Sequence, residues 1–199
     1  MSEAVRRLTA AGCVAPAEEA EELAVAARGD GDTLAALVGR RSTGEPLAWI
    51  TGRAAFCGRS VLLAAGVYVP RWQSGPLAER AAALLPPAGR AIDLGTGSGA
   101  IACLLLDRRP GASVIGTELD PVAARCARQN GVTVAEGDLF EGVPASWEGT
   151  VDVVITVTLE RSVRRLDDVR LSWGHEHVLE VVNETVGSAK QRLRIMVAP

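Results

Sequence analysis

Aromatic side chains are scarce: the chain has four Trp, two Phe and one Tyr in 199 residues. Trp49 and Trp72 are expected to pack a helical N-terminal region onto a sheet rather than stack on a base. Histidine occurs only at His175 and His177. The four cysteines, Cys13, Cys57, Cys103 and Cys126, form no C-x-x-C pair. These spacings argue against a zinc site or a disulfide framework and point to a reducing cytoplasm. With no third ligand nearby, "WGHEHV" reads as a solvent-facing loop or strand, and no metal is expected. "MSEAVRRLTAAG" lacks the apolar core of a signal peptide, and no run of about 18 apolar residues suggests a membrane span. The net charge is −3, which argues against retention on nucleic acid by bulk charge. Arg164, Arg165 and Arg170 alternate with acids and read as a solvated face.

Apolar residues, by contrast, make up 48% of the chain, ample for a core, and charged residues make up 23%, near the globular norm. Residues 2–40 read as short helices. Val5, Leu8 and Cys13 form one weak stripe, and Leu34, Leu37 and Val38 form another behind Asp32 as a cap. "AAFCGRSVLLAAGVYVP" reads as two short strands around a turn. Pro76 opens a helix that Pro86 and Pro87 close. From Arg90 the pattern becomes strand–helix alternation: "RAIDL", "GAIACLLLDRR", "ASVIGTEL", a helix capped by Asp120, "VTVAEGD", then "VDVVITV". Such alternation implies right-handed crossovers and a parallel sheet. Past Thr156, "HEHVLEVVNETV" combines helix-like acid spacing with strand-like valines, and "RLRIMVAP" reads as a last strand.

The chemistry concentrates in "AIDLGTGSGAIACLL". Gly95, Gly97 and Gly99 allow a tight turn and close approach of backbone to a ligand, and the helix that follows offers amide N–H groups to an anionic part. Two ligand classes fit. Gly95, Gly97 and Ala100 satisfy the dinucleotide fingerprint G-x-G-x-x-A, and S-adenosylmethionine can use the same amides. Three acids favour the second. Asp93 precedes the loop, where a carboxylate suits an ammonium and a sulfonium better than a pyrophosphate. Glu118 ends the next strand, where it can accept ribose hydroxyls. Asp138 ends the third, within reach of an adenine amino group.

"GEPLAWITGRAAFCG", "VYVPR", "AIDLGTGSGAIACLL", "TELDPVAARCARQN" and "GDLF" follow one another in an order that resembles the HemK/PrmC family. These are the protein-(glutamine-N5) methyltransferases that modify peptide-chain release factors. The resemblance covers roughly residues 5 to 156. It implies an α/β fold with a Rossmann-like methyltransferase sheet, C-terminally truncated or divergent. A helical substrate-recognition domain would occupy residues 1–54, a β-hairpin linker 55–74, and the methyltransferase-like domain 75–199. It also implies S-adenosylmethionine held by Asp93, Gly95, Thr96, Gly97, Gly99, Glu118, Leu119, Asp138 and Leu139. The partner would be a protein substrate such as a release factor, with no nucleic acid or membrane, acted on by a cytoplasmic monomer or weak homodimer.

The chain departs from that pattern in three places. The family's N-P-P-Y, whose Asn side chain and Pro carbonyl hold the target amide, is here Val157, Thr158, Leu159 and Glu160. The P-E-T-E-like segment after "VPR" reads Trp72, Gln73, Ser74 and Gly75: Ser74 keeps a hydroxyl, and Gly75 removes the carboxylate. The tail "TLERSVRRLDDVR" does not resemble the family, whose sheet runs to more strands than the five or six countable here. Two function classes therefore stand: an enzyme methylating a Gln side chain, and a catalytically impaired cofactor-binding or regulatory protein. A dinucleotide-binding protein is a third.

Overall fold

The computed structural model describes residues 1–159, 177–182 and 191–197. Two units divide the chain: Met1–Ala54 with Leu63–Gly66, and Ala55–Leu62 with Val67–Pro199. No helix among the described residues is long and apolar enough to cross a membrane.

The first unit is helical: α1 (Ser2–Ala10), α2 (Pro16–Ala26), α3 (Gly31–Ser42) and α4 (Leu47–Thr51). The two expected stripes both enter its core, where Leu8, Leu23 and Val38 are fully enclosed and Val5, Cys13, Leu34 and Leu37 pack against them. Each enclosed Leu contributes on the order of 2 kcal/mol. Arg41 reaches from α3 to α2, its Nε 2.6 Å from Glu19 Oε2, in a half-buried ion pair. The cap of α3 is Asp30, not Asp32: Asp30 Oδ2 accepts the Thr33 amide at 3.1 Å. A capping oxygen must reach the second or third helical amide. Gly31 starts the helix, so Asp30 has that reach, and Asp32 falls in the first turn, where its charge favours the macrodipole.

A hairpin, β1 (Arg53–Phe56) and β2 (Arg59–Leu62), turns through Cys57 and Gly58, both at positive φ as a two-residue primed turn requires. Trp72 begins a single 3-10 turn and is 78% exposed, so the packing role expected of it is not filled. The turn exposes it because Ser74 and Gly75, not the indole, face inward. Then comes α5 (Gly75–Leu84), followed by β3 (Arg90–Leu94), α6 (Ala100–Arg108), β4 (Ser113–Glu118), α7 (Pro121–Gln129), β5 (Thr133–Glu136) and β6 (Val153–Leu159).

The sheet order is β5-β4-β3-β6-β8-β7. β3, β4, β5 and β6 run parallel, with Ala91 opposite Val114 on one side and Val153 on the other. β8 (Gln191–Val197) lies antiparallel to β6, and β7 (His177–Val182) antiparallel to β8. Within the valine-rich stretch whose period the sequence leaves open, His177–Val182 is strand, while residues 160–176 and 183–190 lie outside the described residues. The architecture is α/β, with a Rossmann-like sheet in which four strands are parallel and two antiparallel. Strand alternation sends Ala91 and Asp93 toward α6, and Ile92 and Leu94 to the opposite face. After β5 the chain returns to the far side of β3. The strand order therefore reverses between β3 and β6, the position at which open parallel sheets bind ligands.

Candidate functional site

The loop from β3 to α6 lies at that reversal. Gly95, Gly97 and Gly99 all have left-handed backbone, at φ +68°, +58° and +80°, which costs a residue with a side chain about 1–2 kcal/mol. Their surroundings separate them. A methyl group on Gly95 or Gly97 would meet no atom within 4 Å among the described residues. One on Gly99 would lie 2.8 Å from Val132 Cγ2 and 3.1 Å from Ala127 Cβ. Gly95 and Gly97 therefore face open space, and Gly99 is the contact where α6 begins against α7 and β5.

Asp93 is 2% exposed and lies beneath this loop. It accepts the Thr96 hydroxyl at 2.7 Å and the Ala102 amide in the first turn of α6. Burial pushes its carboxyl up to about 6, the two hydrogen bonds pull the other way, and the charge of Glu118 adds to the push. Thr96 is buried and donates its amide to Thr117 O at 2.9 Å. It fits because residue 116 is glycine: a methyl there would come within 2.7 Å of Thr96 Cγ2. Gly116 faces Asp93 in register on β4, a pairing not evident from the sequence.

Glu118, at the end of β4, spreads its carboxylate over three amides. Oε2 accepts from Gly97 at 2.8 Å, and Oε1 accepts from Leu119 at 2.9 Å and Asp120 at 3.0 Å. Leu119 is 70% exposed beside it. Asp120 caps α7 through Val122 N at 2.7 Å. Gly137 donates to Glu118 O at 3.0 Å, which brings the β5 turn to the same edge. The Asp138 amide donates to Glu141 Oε2 at 3.0 Å. Leu139 turns the other way and packs on the face of Ile92 and Leu94 with Phe140 and Trp147. Thus Gly95, Gly97, Glu118, Leu119 and Asp138 stand around one rim, while Asp93, Thr96 and Gly99 hold that rim from below.

Two features go beyond the sequence expectations. Thr117 and Thr156 flank Leu94 in register, and among the described residues their buried hydroxyls have no hydrogen-bond partner. Asn130, the residue after α7, donates to Ser98 O inside the loop at 2.9 Å. Its one sequence signal is its place before Gly131, which reads as an ordinary helix end. Thr156 ends the part of β6 beside β3, so residues 157–160 begin next to the loop. The backbone of Val157–Leu159 is strand paired with β8, and Glu160 lies outside the described residues.

The arrangement discriminates by charge. The Gly97 amide on the open side of the loop is already held by the carboxylate of Glu118, and the Asp93 carboxyl is buried beneath the same loop. A site with two acids around a glycine loop favours a ligand carrying hydroxyls and positive charge over a dianionic one.

No protein-family model matches the chain. It is 31% identical over 220 aligned residues to the release factor glutamine methyltransferase of Mycolicibacterium smegmatis, covering 96% of this chain and 78% of that protein. Identity is 39% over 111 residues to the enzyme of the same name from Geobacter sulfurreducens, covering 53% of this chain and 39% of that one. It is 36% over 182 residues to the 4-amino-L-phenylalanine/4-methylamino-L-phenylalanine methyltransferase of Streptomyces pristinaespiralis, covering 78% and 62%. The chain spans less than two thirds of the Geobacter sulfurreducens and Streptomyces pristinaespiralis proteins, 39% and 62% of their lengths.

Proposed function

This chain belongs to the family of release factor glutamine methyltransferases, and we propose that it binds S-adenosylmethionine on the rim of the β3–α6 loop and serves methyl transfer to a glutamine side chain of a protein such as a release factor. The observations that carry this reading are the Glu118 carboxylate seated on the Gly97 amide and the buried Asp93 carboxyl beneath the loop. They support an ammonium- and sulfonium-bearing ligand and oppose a nicotinamide dinucleotide. Gly95 and Gly97 supply the close backbone approach, Glu118 and the neighbouring Leu119 the ribose side, and Asp138 the adenine side. Asp93, Thr96 and Gly99 fix the loop that holds them.

S-adenosylmethionine supplies, when bound, an electrophilic methyl group on a sulfonium. The protein's contribution is placement. An amide nitrogen is a weak nucleophile because its lone pair is delocalised, so alignment carries much of the rate. That alignment falls to the segment after Thr156. Val157 and Leu159 bring no side-chain acceptor there, and Thr158 and Glu160 are its polar residues. In this reading residues 1–54 recognise the substrate, 55–74 form the linker and 75–199 carry the transfer site, in the cytoplasm.

Calorimetry with S-adenosylhomocysteine and with NAD tests the ligand. Binding of the first and not the second is expected, and the reverse overturns it. Incubation with methyl-labelled S-adenosylmethionine and a release factor tests the reaction, with label on a Gln side chain expected. Cofactor binding without label would assign the chain to the second class, a cofactor-binding protein without transfer, which the replacement of N-P-P-Y at 157–160 favours.

A further inference from the structure

We infer that Asn130 is the positioning residue of the cofactor loop, clamping it to the strand β2 hairpin; this rests on the proposed cofactor reading. Its carboxamide is used on every side. Oδ1 accepts the Leu62 amide at 2.8 Å, while Nδ2 donates to Leu62 O and to Ser98 O, each at 2.9 Å. Ser98 sits between Gly97 and Gly99, the residue that faces open space and the residue that packs α6, and is 3% exposed. Glycines on both sides leave the Ser98 peptide little conformational preference of its own. An external tie therefore decides where its carbonyl points, and with it where the Gly99 amide in the same peptide plane points.

The clamp is itself fixed. The Asn130 amide donates to Cys126 O at 3.2 Å and Ala127 O at 3.0 Å, at the end of α7. Its carbonyl accepts the Cys103 thiol at 3.4 Å, and the Cys126 thiol donates to Leu62 O at 3.3 Å. Asn is the one side chain of this size that presents an acceptor and two donors together. Asp would keep the bond from Leu62 N, lose both donors, and set a carboxylate against two carbonyl oxygens. Ala would lose all three bonds. Losing the single tie to Ser98 corresponds to a roughly three- to tenfold weaker cofactor affinity.

The test compares the parent chain with Asn130→Ala and Asn130→Asp in two measurements. The first is amide hydrogen exchange on the ligand-free protein at Thr96, Gly97 and Gly99, whose amides donate to Thr117 O, Glu118 Oε2 and Thr96 O. Asn130→Ala is expected to exchange faster there while the β3 and β4 strand amides keep their protection. The second is calorimetric affinity for S-adenosylhomocysteine, expected to fall as above. Unchanged loop exchange together with unchanged affinity overturns the inference, as does a uniform loss of protection across the sheet without a preference for the loop. Should Asn130→Ala fail to fold, Asn130→Asp decides. Protonating the introduced carboxyl restores one donor, so its loop exchange relative to the parent should slow as pH falls. A ratio that does not change with pH overturns the clamp. A parent chain that binds no S-adenosylhomocysteine refutes the cofactor reading, and the exchange comparison still decides the role of Asn130.

Discussion

Alanine at Gly97 and alanine at Gly99 should fail in different ways, although the two residues sit two positions apart in one motif. Both positions have left-handed backbone, so each substitution carries about 1–2 kcal/mol of conformational cost. At Gly97 nothing further is added to the fold, because a methyl group there meets no atom within 4 Å among the described residues. At Gly99 the methyl would press on Val132 Cγ2 at 2.8 Å, on Ala127 Cβ at 3.1 Å and on Ala127 Cα at 3.3 Å. The last is backbone of α7 and cannot swing aside. Overpacking of this kind adds about 1–3 kcal/mol. For a chain of this length 1 kcal/mol moves the melting temperature by about 2–4 °C. Gly97→Ala should therefore melt about 2–8 °C below the parent, and Gly99→Ala about 4–20 °C below. Ligand affinity should follow the opposite order. The Gly97 methyl occupies the rim where a ligand must approach the backbone, whereas Gly99→Ala leaves that rim open wherever it remains folded. Thermal melts and calorimetry with S-adenosylhomocysteine on both variants check the pattern. Equal melting losses, or an affinity loss confined to Gly99→Ala, would refute the division of the loop into an open half and a packed half.

Asp93 should give the folded state a distinctive pH response. Its folded carboxyl titrates near 6, above the ordinary 3.8, so the folded protein binds more protons than the unfolded one between those values. Its contribution to stability therefore falls as pH rises from about 4 to 6, and the melting temperature of the parent minus that of Asp93→Asn should decline across that window; a flat difference would show that the carboxyl is not perturbed by burial. Gly116→Ala should cost about 1–3 kcal/mol in chemical denaturation, and a Thr96→Ala background should relieve only part of it, because Cγ2 at 2.7 Å and Oγ1 at 2.9 Å go while the Cβ at 2.8 Å stays. Thr117→Val and Thr156→Val should each be neutral or stabilising by about 1 kcal/mol, since a buried hydroxyl without a partner is replaced by a methyl; a loss above that in either melt would reveal a hydrogen bond to that hydroxyl.

The elements that could be read from the sequence are those in which one local signal dominates. "RAIDL" and "VDVVITV" are continuous apolar runs of strand length, and Asp120 with Pro121 is a strong helix start. The rim residues could be read for the same reason: each ends a strand or opens a turn. What stayed hidden depends on register. Gly116 has no sequence property that marks it as the space for Thr96. That follows only once β3 and β4 pair Asp93 with Gly116. Asn130 and Leu62 lie 68 residues apart, and no periodicity connects them. Asp93 was placed correctly along the chain. Which way it turns depends on the helix packed over it, so its hold on Thr96 and Ala102 emerges only with α6 in place.

That inward turn of Asp93 bears on how the fold divides its work. A carboxylate 2% exposed cannot be a primary contact for an incoming ligand; what it does is hold the first turn of α6 and the middle of the loop in one geometry, at the cost of keeping a charge buried. Glu118 performs the same service from the other side through Gly97. Those two acids, Asn130 and the Gly116–Thr96 fit all lie before Thr133, on β2, β3, α6, β4 and α7, and none draws on β6 or the strands beyond it. The loop is thus preorganised by contacts internal to the first β-α-β-α stretch of the sheet and the hairpin ahead of it. On the proposed function, binding and transfer are separable in this chain: the first depends on residues up to the β5 turn, the second on the segment that starts at Val157. Substituting Val157, Thr158, Leu159 and Glu160 by Asn, Pro, Pro and Tyr should therefore leave S-adenosylhomocysteine affinity within about threefold of the parent, because no element that shapes the loop is touched. Turnover in the same variant should not rise above the parent's, because acceptors must be held to a fraction of an ångström by residues packed around them, and the four substitutions supply none of those residues. A large change in affinity would show that the end of β6 shapes the loop after all, and turnover raised well above the parent's by those four residues alone would show that the surrounding shell is already in place.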